Sequence, residues 1–336
     1  MLTDIFFLLL GLVLILLGAN GLTDGASALA KRWGISDLVI GLTVVAFGTS
    51  APELVISIVS AINGNAGLAI GNVVGSNIFN ILVIIGITAM VVPIKIERSI
   101  MINEIPLVIL SSIALFVIGN SVFLDSTATS SVSRVEGILL LLFFMIFMRY
   151  TFSQAKTVSP ESVDGELAES IKPMPIWKSV LWVAGGLAGL IYGGDRFVVG
   201  ASGIASGLGV SDAVIGLTIV AAGTSLPELA TSVAAAIKGK PGIALGNVIG
   251  SNIFNIFLVL GAAATIKPMQ FGSIGNIDLL TLLVSSFLFR FFGWFFRKRT
   301  ITRVEGAILT SCYIAYVVYR VINARSFFEK NIRQKV

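Results

Sequence analysis

The 336-residue chain is 56% hydrophobic and 12% charged, with a mean hydropathy of +0.97 and a formal net charge of +5. This balance excludes a soluble domain and predicts an all-α polytopic membrane protein embedded in the lipid bilayer. Histidine is absent and Cys312 is the only cysteine, which excludes an intrachain disulfide and Cys/His metal sites. The positive charge is typical of topology signals and anionic-lipid contact, and does not indicate nucleic-acid binding.

Ten apolar runs, each of about 20 residues, predict ten transmembrane helices. The first follows no positive charge and no convincing cleavage site, so we expect a retained helix and not a signal peptide. The runs lie near residues 5–30, 37–62, 67–92, 100–119, 134–151, 177–205, 212–237, 242–266, 276–296 and 304–323. The polar, proline-punctuated segment 153–175 is predicted to be a cytoplasmic linker between the five-helix units 1–152 and 176–336.

The chain contains an internal repeat. The segment "SDLVIGLTVVAFGTSAPELVISIVSAINGNAGLAIGNVVGSNIFNILVIIG" begins at Ser36, and "SDAVIGLTIVAAGTSLPELATSVAAAIKGKPGIALGNVIGSNIFNIFLVLG" begins at Ser211, an offset of 175 residues. Roughly 30 of the 51 aligned positions are identical. A further "RVEG" motif occurs at Arg134 and at Arg303. The two halves of the chain are therefore predicted to be homologous.

An odd number of spans per half predicts that the halves are inverted relative to each other. Most loop Lys and Arg residues follow odd-numbered spans, which places those loops in the cytoplasm and the N-terminus outside the cell membrane. The basic C-terminal tail conflicts with this orientation, because ten spans put it outside.

The apolar stretch "VVAFGTSAPELV", residues 44–55, contains residues that interrupt a helix. Pro52 lacks an N–H and crowds the carbonyl of Gly48, as Pro227 does for Gly223 in the second half. One interpretation is a proline kink whose carbonyls are satisfied by neighbouring Ser or Thr. The second is that freed carbonyls face a cation, and Pro beside Gly, Thr, Ser and Glu in both halves favours it.

Glu53 and Glu228 are the most costly residues in these segments. A charge at the centre of a membrane helix costs about 2.5–3.5 kcal/mol on insertion scales. A protonated glutamate or a structural ion pair is an alternative, but spans 2, 3, 7 and 8 contain no Lys or Arg. If the two carboxylates meet between the halves, they offer hard oxygen ligands suited to Ca²⁺ or Na⁺.

Spans 3 and 8 add further side-chain oxygens. Asn72, Ser76 and Asn80 recur at i, i+4, i+8 on one helix face, and Asn247, Ser251 and Asn255 repeat the pattern. Interhelical hydrogen bonding is a plausible alternative for Asn72 and Asn247. Glycine rows on the same helices, at residues 67, 71, 75 and 242, 246, 250, indicate close helix packing.

The paired "GTS-x-PEL … GNV-x-GSNIFNI" blocks resemble the alpha repeats of the sodium/calcium exchangers of the calcium/cation antiporter superfamily. The resemblance covers nearly the whole chain. It implies a core of the second, third, seventh and eighth helices, and antiport of several Na⁺ against one Ca²⁺ by alternating access, with the first and sixth helices sliding past the core. It implies that the ions are transported substrates, and no cofactor or obligatory protein partner is expected.

Carried over position by position, the resemblance implies a set of ion ligands. They are the side chains of Glu53, Glu228, Thr49, Ser50, Thr224, Ser225, Ser76, Asn80, Ser251 and Asn255 and the carbonyls of Ala46 and Ala221. Some relatives, including potassium-dependent ones, have an aspartate where this chain has Asn255, and the missing third acid argues against a potassium requirement. The short linker leaves no room for large regulatory calcium-binding domains.

Three other functions are weighed against Na⁺/Ca²⁺ antiport with calcium export. A H⁺/Ca²⁺ antiporter would release calcium when the glutamates are protonated. A passive cation channel would line its pore with the same oxygens. An intramembrane enzyme ranks last, because a chain without histidine lacks Ser-His and metalloprotease sites.

Overall fold

A computed structural model describes residues 1–124, 129–155, 174–207, 221–272, 274–295 and 299–333. Helices dominate these residues, because backbone groups in lipid must be satisfied within the segment. They are α1 Leu2–Trp33, α2 Asp37–Thr49, α3 Ala51–Ile62, α4 Ala66–Val91, α5 Ile100–Gly119, α6 Ser121–Leu124, α7 Arg134–Ala155, α8 Ile176–Gly207, α9 Ala221–Thr224, α10 Leu226–Ile237, α11 Pro241–Ile266, α12 Asn276–Phe295 and α13 Arg303–Arg333.

Seven described helices are long and apolar enough to cross a membrane: α1, α4, α5, α7, α8, α11 and α12. An eighth span results if α2 and α3, which are bent by 46° at their junction, count as one. The predicted seventh span falls partly on residues 208–220, outside the described residues, and the predicted linker falls there as well over 156–173. Ten spans therefore stay a prediction.

Helices α1 and α8 pack antiparallel through glycines spaced seven residues apart. A Cβ on Gly18 would lie 2.7 Å from the Gly186 carbonyl oxygen, and one on Gly25 would lie 2.8 Å from the Ser179 carbonyl oxygen. A Cβ on Gly193 would lie 2.9 Å from the Ile15 nitrogen. Because glycine alone allows backbones to approach this closely, the two helices form one tightly joined pair.

Helices α4 and α11 are the most deeply buried spans, since 83% and 94% of their apolar windows lie inside the protein. Both belong to one hydrophobic core to which both halves contribute, including Ile78, Phe254 and Leu309. The Phe254 ring meets Phe144 of α7 edge to face, with centroids 4.9 Å apart. The pair α1/α8 packs into a second, smaller core.

Two short strand pairs join the halves. β1 (Ile94–Lys95) pairs antiparallel with β4 (Thr300–Ile301), and β2 (Ser131–Val132) pairs antiparallel with β3 (Met269–Gln270). Each pair therefore contains one strand from each half of the chain.

The repeated "RVEG" motif begins a helix and also binds the other half. Arg134 Nε donates to the Thr265 carbonyl oxygen at 2.9 Å, and Arg303 Nε donates to the Met90 carbonyl oxygen at 3.1 Å. Each arginine thus satisfies carbonyls at the C-terminal end of a buried helix from the other half. The glutamate of the motif completes a capping box, since Glu136 Oε2 accepts from the Ser133 N–H at 2.6 Å.

Candidate functional site

The site forms where helices break at two serines. Ser50 separates α2 from α3 with φ −85° and ψ 6°, and Ser225 separates α9 from α10 with φ −95° and ψ 8°. Both serines occupy the sparsely populated bridge region, and a proline lies near the start of the helix that follows each. The missing proline N–H and the bent backbone explain why each helix restarts at this position.

Each restarted helix carries its glutamate in the first turn, Glu53 in α3 and Glu228 in α10. A helix N-terminus favours negative charge, because its first N–H groups have no partner within the helix. Both side chains are only 1% exposed. The break therefore places a favourable dipole beside each costly carboxyl group.

The two serines do not cap their own helices. Ser50 Oγ donates to Glu228 Oε1 at 3.1 Å, and Ser225 Oγ donates to Glu53 Oε1 at 3.5 Å. Ser50 Oγ also lies 2.9 Å from Ser251 Oγ, and Ser225 Oγ lies 3.4 Å from Ser76 Oγ. All four contacts cross between the halves, and they form two repeat-related pairs.

Four buried oxygens at this centre lack a hydrogen-bond partner among the described residues: Glu53 Oε2, Glu228 Oε2, Asn80 Oδ1 and Asn255 Oδ1. All of them are acceptors when the glutamates are ionised, and each residue is 1% exposed. In the part of the chain that the structure describes, no Lys or Arg forms a salt bridge with either glutamate. A cation is the species that such a dry, acceptor-rich cluster can bind favourably.

Asn80 and Asn255 lie in wide turns of their helices. The residues Asn80–Ile84 and Phe254–Leu260 are π-helical, a conformation that appears mostly as a single turn and often at functional sites. The segment with Asn80 contacts α10, the helix of Glu228, and the segment with Asn255 contacts α3, the helix of Glu53. Neither Oδ1 has a hydrogen-bond partner among the described residues.

Thr49 is fully buried, and its hydroxyl lies 3.0 Å from Asn247 Oδ1 and 3.4 Å from the Ala46 carbonyl oxygen. The Ala46 carbonyl also accepts the Ser50 N–H at 3.0 Å, so it keeps a helix partner. In the second half, the Ser225 N–H bonds to the Ala222 carbonyl at 3.2 Å. Thr224 is half-buried at the end of α9, which begins at Ala221.

The structure decides between the two interpretations that the sequence pattern left open for Asn72 and Asn247. Each amide nitrogen donates to the backbone carbonyl of a glutamate: Asn72 to Glu53 at 3.3 Å and Asn247 to Glu228 at 3.2 Å. Each also donates at 3.0 Å to a serine one turn later, Ser57 or Ser232. The alternative of interhelical hydrogen bonding is therefore confirmed for both asparagines. The sequence feature that pointed to a shared role is their equivalent position in the two repeats, 175 residues apart.

The glycine row on α11 packs as predicted. A Cβ on Gly246 would lie 2.6 Å from the Leu38 carbonyl oxygen, and one on Gly250 would lie 2.6 Å from Ala46 Cβ. In the first-half row, a Cβ on Gly71 would lie 3.4 Å from Ile274 Cδ1. The repeat counterparts of Leu38 and Leu42 fall within 208–220, outside the described residues. Asp195 and Arg196 pair with each other at 2.5 Å and are not among the residues around the glutamates.

Comparisons with known proteins identify the family of this chain. The family model described as sodium/calcium exchanger protein matches residues 3–153 and 178–322. The provisionally named antiporter CaxA of Alkalimonas amylolytica is 40% identical, over 94% of this chain and 98% of that protein. The sodium/calcium exchanger MaX1 of Methanosarcina acetivorans is 33% identical, over 94% of this chain and 97% of that protein.

Solved structures show the same fold. The sodium-calcium exchanger NCX_Mj, soaked with 10 mM Na⁺ and no Ca²⁺, matches with a TM-score of 0.80 at 32% sequence identity, over 94% of this chain and 98% of that chain. This similarity shows that the protein has the same all-helical, polytopic membrane fold. The matching family model, the similar proteins and the similar solved structure together show that the chain belongs to the sodium/calcium exchanger family.

Proposed function

We propose that the protein is an antiporter that exchanges Na⁺ for Ca²⁺ across the cell membrane and exports calcium. The observation that carries the proposal is the pair of buried glutamates, each bonded to a serine of the other half and each left with an unpartnered oxygen among the described residues. Membership of an exchanger family supports the choice of ions.

The proposed ion ligands are the two glutamates and ten further oxygen-bearing groups. They are the side chains of Glu53, Glu228, Thr49, Ser50, Thr224, Ser225, Ser76, Asn80, Ser251 and Asn255, with the backbone carbonyls of Ala46 and Ala221. Oxygen ligands in this number suit Ca²⁺, which takes six to eight. Two carboxylates balance one Ca²⁺ or two Na⁺, and the shared ligands cannot hold both sets in full. Mutual exclusion at one site therefore couples the two fluxes.

The burial of the site supports transport by alternating access. Apart from Thr224, the described side chains among the proposed ligands are at most 5% exposed, so a bound ion would be shielded from both aqueous phases in this conformation. Ion entry then requires helices to move, and a site that is reached from one side at a time gives exchange without a leak.

Ten spans in two inverted five-helix units are the architecture that we propose for this function. The antiparallel packing of α1 against α8 supports inversion, because these helices begin equivalent halves. Strand pairing supports it too: β1 and β4 both lie in loops after odd-numbered spans, whereas β2 and β3 both lie in loops after even-numbered spans. The excess of basic residues in odd loops places the N-terminus outside.

The test is calcium uptake into proteoliposomes that contain the purified protein. Under an outward Na⁺ gradient with a protonophore present, we expect ⁴⁵Ca²⁺ uptake that stops when the gradient is removed. Uptake driven by a pH gradient and independent of Na⁺ would instead support H⁺/Ca²⁺ antiport. Uptake without any counter-ion would indicate a channel.

The glutamates are tested in the same vesicles. Glu53→Gln and Glu228→Gln keep the size of the side chain and remove its charge, so we expect each to abolish Na⁺-driven uptake. Glu97→Gln is the matched control, because Glu97 is exposed in the loop before α5. Wild-type transport in both Gln variants would refute the proposed site.

A further inference from the structure

The amide groups of Asn247 and Asn72 are held in a defined orientation. The Glu228 carbonyl oxygen can only accept a hydrogen bond, so the Asn247 atom 3.2 Å away must be the nitrogen. The second Asn247 hydrogen goes to Ser232 Oγ at 3.0 Å. Both donors are then used, and Asn247 Oδ1 points to Thr49 as an acceptor.

This orientation makes Asn247 Oδ1 an acceptor for the hydroxyl of Thr49. Because Asn247 Oδ1 has no hydrogen, a hydrogen bond across the 3.0 Å separation can only be donated by the hydroxyl, which also lies in hydrogen-bonding range of the Glu228 carboxylate. Donation to the Ala46 carbonyl, at 3.4 Å, is the longer alternative and would leave two lone pairs facing each other. When the hydrogen of Thr49 Oγ1 points to Asn247, the lone pairs of this oxygen point away from Asn247. They are then available to bind a cation.

The contact to the glutamate acts on its backbone. Glu228 lies in the first turn of α10, so the position of its carbonyl oxygen around the helix axis depends on how the restarted helix is rotated about that axis. A bond from α11 to this carbonyl fixes that rotation, and with it the direction of the carboxylate. Asn72 makes the same two donor contacts to Glu53 and Ser57, so both restarted helices are held in the same way.

We propose that Asn247 and its repeat counterpart Asn72 are positioning residues of the ion site. Asn247 holds the backbone of Glu228 and directs the Thr49 hydroxyl so that oxygen lone pairs face the cation, and Asn72 holds the backbone of Glu53. The inference rests on the proposed function, because it assigns how ligands of the same site are oriented. Neither asparagine touches the ion.

Equilibrium ⁴⁵Ca²⁺ binding to the purified protein tests this inference independently of transport. Removing a group that orients a metal ligand typically lowers affinity by roughly 10–100-fold, so we expect Asn247→Leu and Asn72→Leu to raise the Kd for Ca²⁺ by that factor. Asn120→Leu is the matched control, because the Asn120 amide donates to the Phe116 carbonyl of its own helix at 2.8 Å. Its Kd should equal that of the wild type.

A double-mutant cycle distinguishes orientation from packing. Thr49→Val and Asn247→Leu remove two ends of one contact, so the double variant should raise the Kd by less than the product of the two single fold-changes. Thr49→Val and Asn72→Leu alter separate contacts, so their fold-changes should multiply. Thr49→Ser keeps the hydroxyl and should bind Ca²⁺ with a Kd close to that of the wild type, since the contact to Asn247 is kept.

The outcomes are separable. If the wild type binds Ca²⁺ and the Asn247 and Asn72 variants bind it equally well, the inference is wrong and the proposed function stands. If the wild type binds neither Ca²⁺ nor Na⁺, both fail. Should Asn247→Leu not fold, Asn247→Ala leaves polar space for a water, and a wild-type Kd in that variant would also overturn the inference.

Discussion

The Ser50 hydroxyl donates to the Glu228 carboxylate at 3.1 Å, although 178 positions separate the two residues in the chain. The repeat-related contact, from Ser225 to Glu53, spans 172 positions in the opposite sense. Each half thus supplies the hydroxyl that meets the other half's acid. The site belongs to neither half alone, which explains why the paired motifs must both be present.

Removing either serine hydroxyl should weaken cation binding. Ser50→Ala and Ser225→Ala each delete a hydrogen bond to a carboxyl group, and such bonds contribute about 1.5–3 kcal/mol. We expect the Ca²⁺ concentration for half-maximal exchange to rise at least tenfold in each variant. Ser111→Ala is the control, because its hydroxyl donates to the Val108 carbonyl of its own helix at 2.8 Å. An unchanged half-maximal concentration in both site variants would contradict this prediction.

The prolines are expected to preserve the helix breaks at some cost in stability. Pro52→Ala restores an N–H where the backbone can use it, so we expect an unchanged or raised melting temperature in ion-free detergent together with a weaker affinity for Ca²⁺. Pro227→Ala should do the same from the second half.

Pro106 provides the comparison for these variants, since it closely follows the π-helical turn Ile100–Glu104 within α5, a helix that carries neither Glu53 nor Glu228. Pro106→Ala should change thermal stability without changing Ca²⁺ affinity. If all three variants lower affinity alike, the effect would be one of general packing and not of the break.

Two adjacent glycines on α8 should respond very differently to an added methyl group. A Cβ on Gly186 would lie 2.5 Å from the backbone nitrogen of Leu22, whereas one on exposed Gly185 would meet no described atom within 4 Å. We expect Gly186→Ala to destabilise the protein by about 1–3 kcal/mol, as overpacking does, and Gly185→Ala to be neutral. Thermal unfolding in detergent measures both, and equal melting temperatures would count against backbone contact between α1 and α8.

A salt bridge on one side of the protein should bias its conformational equilibrium. Lys238 Nζ lies 2.7 Å from Asp24 on α1, and the repeat-equivalent positions are Asn63 and Val199, which cannot form the pair. If access alternates between repeat-related states, this contact favours one of them. Because half-exposed pairs contribute up to about 1 kcal/mol, Lys238→Met should shift the ratio of Ca²⁺ affinities on the two sides by up to about fivefold.

The partner substitution checks the same contact. Asp24→Asn should shift the affinity ratio in the same direction as Lys238→Met, and the exchanged pair Lys238→Asp with Asp24→Lys should restore it. Sidedness is measured by adding Ca²⁺ to the outside or the lumen of oriented vesicles. Opposite shifts in the two single variants would show that the residues act separately.

The sequence predicted the helices well because membrane spans are read from apolar length. The predicted run 100–119 corresponds to Ile100–Gly119, and the repeat identified the two segments that meet at the site. The contacts themselves were beyond prediction: "S-x-P-E" has the form of a capping box, which would direct each serine to its own helix. Only tertiary structure shows that Ser50 and Ser225 reach across to the opposite glutamate.

The functions of Asn72 and Asn247 were open for a similar reason. An asparagine stripe on a buried helix fits both ion ligation and interhelical bonding, and the choice depends on which atoms lie opposite each amide. Among the described residues, Asn80 Oδ1 and Asn255 Oδ1 have no hydrogen-bond donor, whereas Asn72 and Asn247 donate to glutamate carbonyls. Residues on one helix face thus differ in role.

The strand pairs have a consequence for biogenesis. β1 and β2 are synthesised early, but their partners β4 and β3 come from the second half, as does the Thr265 carbonyl that receives Arg134. In the nascent first half, β1 and β2 therefore have no strand partner until the ribosome has synthesised the chain beyond residue 301. We expect maturation to be completed late in translation, and two separately expressed halves to become stable only when they are produced together.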